Sequence, residues 1–108
     1  MFRRKRIQNF NDRVHRLYDR RFSCVEGVLN SCVTLDQLTH GAQWASTVMS
    51  QYKDHEKRRL DKLCDVFTHI DLIDVVNKYF NLKQQIIDLI FERKVKEIEK
   101  QDPEEMEE

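Results

Sequence analysis

The chain has 108 residues, which is the usual size of one domain. Only 2 Gly and 1 Pro stand against 35% charged residues, so there are too few turn formers for a many-stranded sandwich or barrel, and an all-β fold is excluded. No apolar run of about 18 residues occurs, which excludes a membrane span, and the basic N-terminus leads into no apolar signal segment. Three cysteines without CxxC spacing favour a reducing, cytoplasmic location.

The formal net charge of zero conceals a strong asymmetry. Residues 1–22 carry eight basic and two acidic groups, whereas residues 65–108 carry six basic and twelve acidic groups. We therefore divide the chain into a basic arm (1–8), one helical domain (9–101) and an acidic, flexible tail (102–108). Opposite charges at the two ends predict pairing within one chain or head to tail between chains, or contact of the basic end with nucleic acid or an acidic partner.

The first predicted helix begins near Asn9 or Asn11, either of which is a suitable N-cap, and runs to about Asn30. Its predicted core face is a stripe of apolar residues at helical spacing: Val14, Tyr18, Phe22, Val25 and Leu29. Gly27 lies inside this pattern. Either the helix tolerates a cost of about 1 kcal/mol relative to Ala, or another backbone packs closely there.

A capping box predicts the start of the second helix. The Thr34 hydroxyl can accept a hydrogen bond from the Gln37 backbone N–H, while the Gln37 side chain reaches back to Thr34. We expect a long helix from this point to about Phe67. Between Tyr52 and Leu60 its face is nearly all charged, which predicts a segment that faces solvent or pairs with a charged neighbour. The predicted core positions are Leu38, Ala42, Ala45, Val48 or Met49, Tyr52, Leu60 and Leu63, with Trp44 beside them.

Two further helices are predicted in the C-terminal third. Residues 70–80 are rich in β-branched side chains, but no second such run is available for pairing, so we expect a short buried helix. Asn81 is the predicted N-cap of a last helix that runs to about Lys100, before Asp102-Pro103. The sequence thus predicts an all-α bundle of three to four helices. An apolar stripe of the last helix is predicted to remain for a second copy: Ile87, Ile90, Phe91, Val95 and Ile98.

A basic stripe on the first helix is the strongest candidate binding site. Arg6, Arg13, Arg16 and Arg20 recur at helical spacing away from the core face, and Arg3, Arg4 and Lys5 precede or join them. Arginine can donate two hydrogen bonds to a phosphate or a carboxylate, so the stripe suits either nucleic acid or the acidic third of another copy. No zinc-finger, RNA-recognition or clear helix-turn-helix pattern accompanies it, so base-specific recognition is not expected.

Catalytic and metal-binding motifs are weak. The nearest pair of metal-ligand residues, Cys64 and His69, is five apart and does not share a helix face. Two glycines cannot form a glycine-rich phosphate loop. His15, between Asp12 and Asp19 at helical spacing, predicts a surface ion cluster of small energetic value.

We therefore expect a non-enzymatic protein-interaction or assembly factor that acts as a homo-oligomer. The alternative is a nucleic-acid-associated protein that uses the basic stripe. A small enzyme is a third possibility without a supporting motif. No cofactor, metal, membrane or small-molecule substrate is predicted.

Overall fold

The computed structural model describes residues 2–63 and 66–101, which form three α-helices. These are α1 (Phe2–Ser31), α2 (Leu35–Leu63) and α3 (Val66–Gln101). The predicted all-α bundle of three to four helices is confirmed, with three helices and no strand in the described ranges. The predicted acidic tail (102–108) and Cys64 lie outside those ranges. With 36 residues, α3 is about 54 Å long at 1.5 Å per residue, and the molecule measures 63 × 22 × 18 Å.

One continuous core runs along the bundle axis. All five residues of the predicted stripe on α1 are buried, so that prediction is confirmed. On α2 the buried apolar residues are Leu38, Ala45, Met49 and Leu60, and Met49 rather than Val48 fills the position left open by the sequence. The contribution of α3 consists of Leu72, Val76, Tyr79, Phe80, Ile87 and Ile90.

The helices α1 and α3 run parallel, and α2 runs antiparallel to both. His15 contacts Tyr79, and Lys94 donates to the backbone carbonyl of Asn30, both at a separation of 64 positions along the chain. Contacts at a constant offset require two helices that point in the same direction. This arrangement places the N-terminal half of α1 beside the C-terminal half of α2.

Two predicted boundaries are wrong at the ends of the first two helices. The first helix begins at Phe2 rather than near Asn9 or Asn11, because Ile7 and Phe10 pack against the core and extend it by two turns. Residues 2–8 therefore belong to the same helix as the rest of α1. The second helix ends at Leu63, not near Phe67, which belongs to α3.

The predicted break at Asn81 is also wrong, since α3 passes through this residue without interruption. Asn81 is exposed, and its side-chain oxygen accepts a hydrogen bond from Lys53 Nζ at 3.3 Å rather than capping a helix. Buried Phe80 and Ile87 on either side continue one apolar stripe, and this packing overrides the local capping preference.

The capping box at the start of α2 is present with one difference. The Gln37 backbone N–H donates to Thr34 Oγ1 at 3.1 Å, as predicted. The Gln37 side chain accepts from the Val33 backbone N–H at 3.0 Å instead of from Thr34. Gly27 has open space around the position of an added Cβ, so the helix tolerates this glycine and no neighbouring backbone requires it.

Candidate functional site: a basic face beside a buried polar network

The arginines of the predicted stripe lie on one side of α1. At 100° per residue, Arg6, Arg13, Arg16 and Arg20 fall within a sector of about 80°. Arg6, Arg16 and Arg20 are exposed. Arg13 is partly buried, and its guanidinium donates to Glu56 of α2 at 3.2 Å, which shows that this sector borders α2. Arg3, Arg4 and Lys5 lie in the first turns of the same helix.

The last turns of α2 extend this positive surface. Because α2 is antiparallel to α1, Arg58, Arg59 and Lys62 lie near the N-terminal half of α1, and all three are exposed. We call the combined surface the basic face: Arg6, Arg13, Arg16, Arg20, Arg59 and Lys62. Along its whole length α1 carries eight basic and three acidic residues, and the structure concentrates this excess at one end of a long, narrow molecule.

A buried carboxylate lies behind the basic face. Glu56 is 1% exposed, and its two oxygens accept hydrogen bonds from Tyr18 at 2.5 Å and from Arg13. Burial raises the pKa of the Tyr18 hydroxyl, and the hydrogen bond to Glu56 raises it further. Arg13 compensates the buried charge of Glu56. This arginine therefore has a structural role in addition to its place in the basic face.

The sequence predicts that this charged segment of α2 faces solvent or pairs with a charged neighbour, and the Arg13–Glu56 ion pair agrees with the second alternative, but the burial of Glu56 was not predicted. A signal was present, because Tyr52, Glu56 and Leu60 follow one another at intervals of four and occupy one stripe of α2. The spacing also indicates that Lys83 is largely buried, because it stands four residues after buried Tyr79 and four before buried Ile87. Its side chain is 14% exposed.

A second polar network joins α1 to α3. Asp19 accepts hydrogen bonds from the Tyr79 hydroxyl at 2.6 Å and from His15 Nδ1 at 3.1 Å, and Lys83 Nζ lies 3.6 Å from it. Partial burial opposes the charged form of Asp19, but the bonds from Tyr79 and His15 outweigh it, so the pKa of Asp19 is lowered. The predicted ion cluster at His15 is present through Asp19, and both side chains remain almost half exposed.

The predicted oligomer stripe on α3 lies mostly inside the monomer. Ile87 is 1% and Ile90 is 7% exposed, and both belong to the core of the same chain. Phe91, Val95 and Ile98 are partly buried against that core and keep some surface. Whether this surface meets a second copy stays a prediction. The exposed area of this stripe is smaller than the sequence predicted, because α3 packs against both other helices.

The described residues contain no group of three or more His, Cys, Asp or Glu side chains placed to hold a metal ion. Cys24 is exposed, and buried Cys32 donates through Sγ to the carbonyl of Val28 at 3.3 Å. Within residues 2–63 and 66–101 no helix has both the length and the apolarity needed to cross a membrane. Comparison of the chain with protein-family models, curated proteins and solved structures returned no match in any of the three.

Proposed function

We propose that this protein is a non-enzymatic, cytoplasmic assembly factor that forms homo-oligomers. In these oligomers the basic face of one copy contacts the acidic C-terminal segment of the next. The observation that carries the proposal is the parallel arrangement of α1 and α3, which places the basic N-terminal half of α1 far along the bundle from Gln101, the residue that precedes the acidic segment 102–108 in the sequence.

Arg6, near the start of α1, and Gln101, the last residue of α3, lie far apart along the bundle axis. At the offset of 64 positions, Arg6 lies level with residue 70 of α3, about 45 Å along the axis from Gln101 at 1.5 Å per residue. The seven residues 102–108 span at most about 25 Å when fully extended. This distance favours the acidic segment of another copy, rather than that of the same chain, as the partner of Arg6.

The contact would consist of several weak ion pairs. An exposed arginine–carboxylate pair contributes about 0.2–1 kcal/mol, so specificity and strength depend on several pairs acting together. The acidic segment offers Asp102 and four glutamates in residues 104–108. A head-to-tail contact uses different surfaces on the two copies, so each copy keeps a free surface for a further copy, and repeated contacts build rings or open chains of molecules.

A charge-neutralising variant tests this contact. Arg6→Gln/Arg16→Gln/Arg20→Gln leaves the Arg13–Glu56 bond intact and should reduce the mean mass measured by light scattering at low salt. A chain that ends at Gln101 should show the same reduction. The control variant Lys78→Gln/Lys96→Gln/Lys100→Gln removes equal charge from exposed positions of α3 and should keep the mass of the natural chain. An unchanged mass in both test variants would contradict the proposed contact.

Nucleic-acid binding is a second candidate function, favoured by the continuation of the basic face from α1 onto α2. Regularly spaced cations from two adjacent helices can neutralise several phosphates at once. If the basic face binds nucleic acid, Arg6→Gln/Arg16→Gln/Arg20→Gln should bind duplex DNA or RNA less tightly than the natural chain. For DNA, the salt slope of log K should flatten by about 0.9 for each phosphate that the variant no longer neutralises. Its mass in the absence of nucleic acid should not change, which distinguishes this function from head-to-tail assembly.

A further inference from the structure

The N-terminal half of α2 lacks charge over an unusual length. From Gln37 to Tyr52, 16 consecutive residues include no Asp, Glu, Lys or Arg, although 35% of the whole chain is charged. Only part of this segment is needed for the core, because Leu38, Ala45 and Met49 provide its buried contacts. The lack of charge therefore extends to the side that faces away from the bundle.

The exposed part of this segment forms a surface that we call the uncharged face: Gln37, Thr39, His40, Gln43, Trp44, Thr47, Ser50 and Gln51. Trp44, the single tryptophan of the chain, is 43% exposed there. Beside it, Thr39, Gln43 and Thr47 border a groove between α2 and α3, and α3 contributes Ile87, Asp88 and Phe91 to the lining of this groove. Interface centres are typically depleted in charged residues and enriched in aromatic ones, and this surface has both properties.

We propose that the uncharged face binds the same face of a second copy, with the two α2 helices antiparallel about a two-fold axis. In a two-fold contact each surface meets itself, so a face with a net charge places like charges together. A two-fold contact through the basic face is disfavoured for this reason, because it would place the arginines of one copy against those of the other. The eight residues of the uncharged face have no carboxylate, ammonium or guanidinium group to repel their own copy, and the carboxylate of Asp88 in the adjoining groove accepts a hydrogen bond from Gln84 of its own helix. The amide and hydroxyl groups of the face both donate and accept hydrogen bonds.

The available area suits a weak dimer. Sixteen residues span about 24 Å, and α2 with the adjoining side of α3 is about 20 Å wide at about 10 Å per helix, so the footprint is roughly 500 Å² per copy. Two copies then bury on the order of 1,000 Å², at the lower end for specific interfaces. The exposed part of Phe91 borders this footprint, so the contact would include one residue of the oligomer stripe predicted from the sequence.

This two-fold contact is separate from the head-to-tail contact of the proposed function, and salt distinguishes the two. In one-molar salt the Debye length is about 3 Å, so ion pairs between exposed groups are largely screened while a contact between uncharged faces persists. We expect the natural chain to sediment as a dimer under these conditions at high protein concentration. On dilution, Trp44 fluorescence should shift to longer wavelength as the dimer dissociates and water reaches the indole.

Charges introduced into the uncharged face test the assignment. Gln43→Glu/Thr47→Glu should raise the dimer dissociation constant at least tenfold in high salt, because four carboxylates would lose hydration in the contact even where salt screens their mutual repulsion. The control Gln8→Glu/Gln85→Glu adds the same charge at exposed positions of α1 and α3 and should leave it unchanged. Far-ultraviolet circular dichroism identifies any loss of folding. An equimolar mixture of Gln43→Glu/Thr47→Glu and Gln43→Lys/Thr47→Lys chains should recover the dimer at low salt, since opposite charges then meet across the axis.

The outcomes separate the two contacts. A monomer in high salt at every concentration would overturn the two-fold contact and leave the low-salt head-to-tail test unaffected. A dimer that tolerates Gln43→Glu/Thr47→Glu would also overturn it, because association would then use another surface. Both contacts would be supported if Arg6→Gln/Arg16→Gln/Arg20→Gln no longer formed larger assemblies at low salt but still formed the dimer at high salt.

Discussion

The bond between Tyr18 and Glu56 allows a double-mutant cycle with an unusual expected outcome. Both groups are buried, with exposures of 2% and 1%, and the Tyr18 hydroxyl donates to the carboxylate at 2.5 Å. We consider the variants Tyr18→Phe and Glu56→Leu, alone and together. Each single change leaves one polar group in the core without its main partner, whereas the double change removes both groups.

The expected free energies of unfolding follow from this difference. Glu56→Leu leaves the Tyr18 hydroxyl buried without an acceptor and should cost about 1–3 kcal/mol. Tyr18→Phe removes a hydrogen bond to a charged group, which is typically worth about 1.5–3 kcal/mol. The double variant should lie within about 1 kcal/mol of the natural chain, because apolar groups replace a desolvated polar pair. Arg13 remains, but its side chain is 26% exposed and can turn to water.

Urea unfolding followed by circular dichroism measures the four members of the cycle at a protein concentration low enough for a monomer. If the destabilisation of the double variant equalled the sum of the two single effects, the two side chains would act independently. The network would then contribute to stability by some route other than the mutual satisfaction of Tyr18 and Glu56.

Four further substitutions test other parts of the fold by urea unfolding, and a fifth serves as a surface control. Leu29→Ala should cost about 2–5 kcal/mol because Leu29 is fully buried, whereas the control Leu89→Ala, at 64% exposure, should change stability by less than about 0.5 kcal/mol. Gly27→Ala should stabilise the chain by about 1 kcal/mol, since the added methyl group meets no atom; a destabilised variant would contradict the open space around Gly27. Thr34→Ala should cost about 1 kcal/mol because it removes the N-cap of α2. Asp19 has a lowered pKa in the folded chain, so its contribution is present above the unfolded value of about 3.9 and disappears as the pH falls through the folded value. Asp19→Asn should therefore lower the free energy of unfolding at neutral pH and make it fall less steeply as the pH decreases. If the free energy of unfolding of this variant fell with pH as steeply as that of the natural chain, the role given to Asp19 would be wrong.

The sequence by itself determined the helical class and most of the core. The stripe from Val14 to Leu29 and the Thr34 cap both follow from local rules, namely the 3.6-residue period and the hydrogen bonds of the first helical turn. These features depend on residues within a few turns of one another. The structure confirms the buried stripe and the hydroxyl bond of the cap.

Only the tertiary structure decided which helices are continuous and which way charged groups face. Asn81 carries a good capping signal, yet α3 continues through it because the apolar stripe on both sides packs against α1 and α2. Glu56 is one of several charged residues in a row, and its burial depends on Tyr18 and Arg13, 38 and 43 positions away in the chain. Ile87 and Ile90 have the periodicity of an interface but fill the core of their own chain. In each case the deciding partner belongs to another helix, and one-dimensional spacing carries no information about that partner.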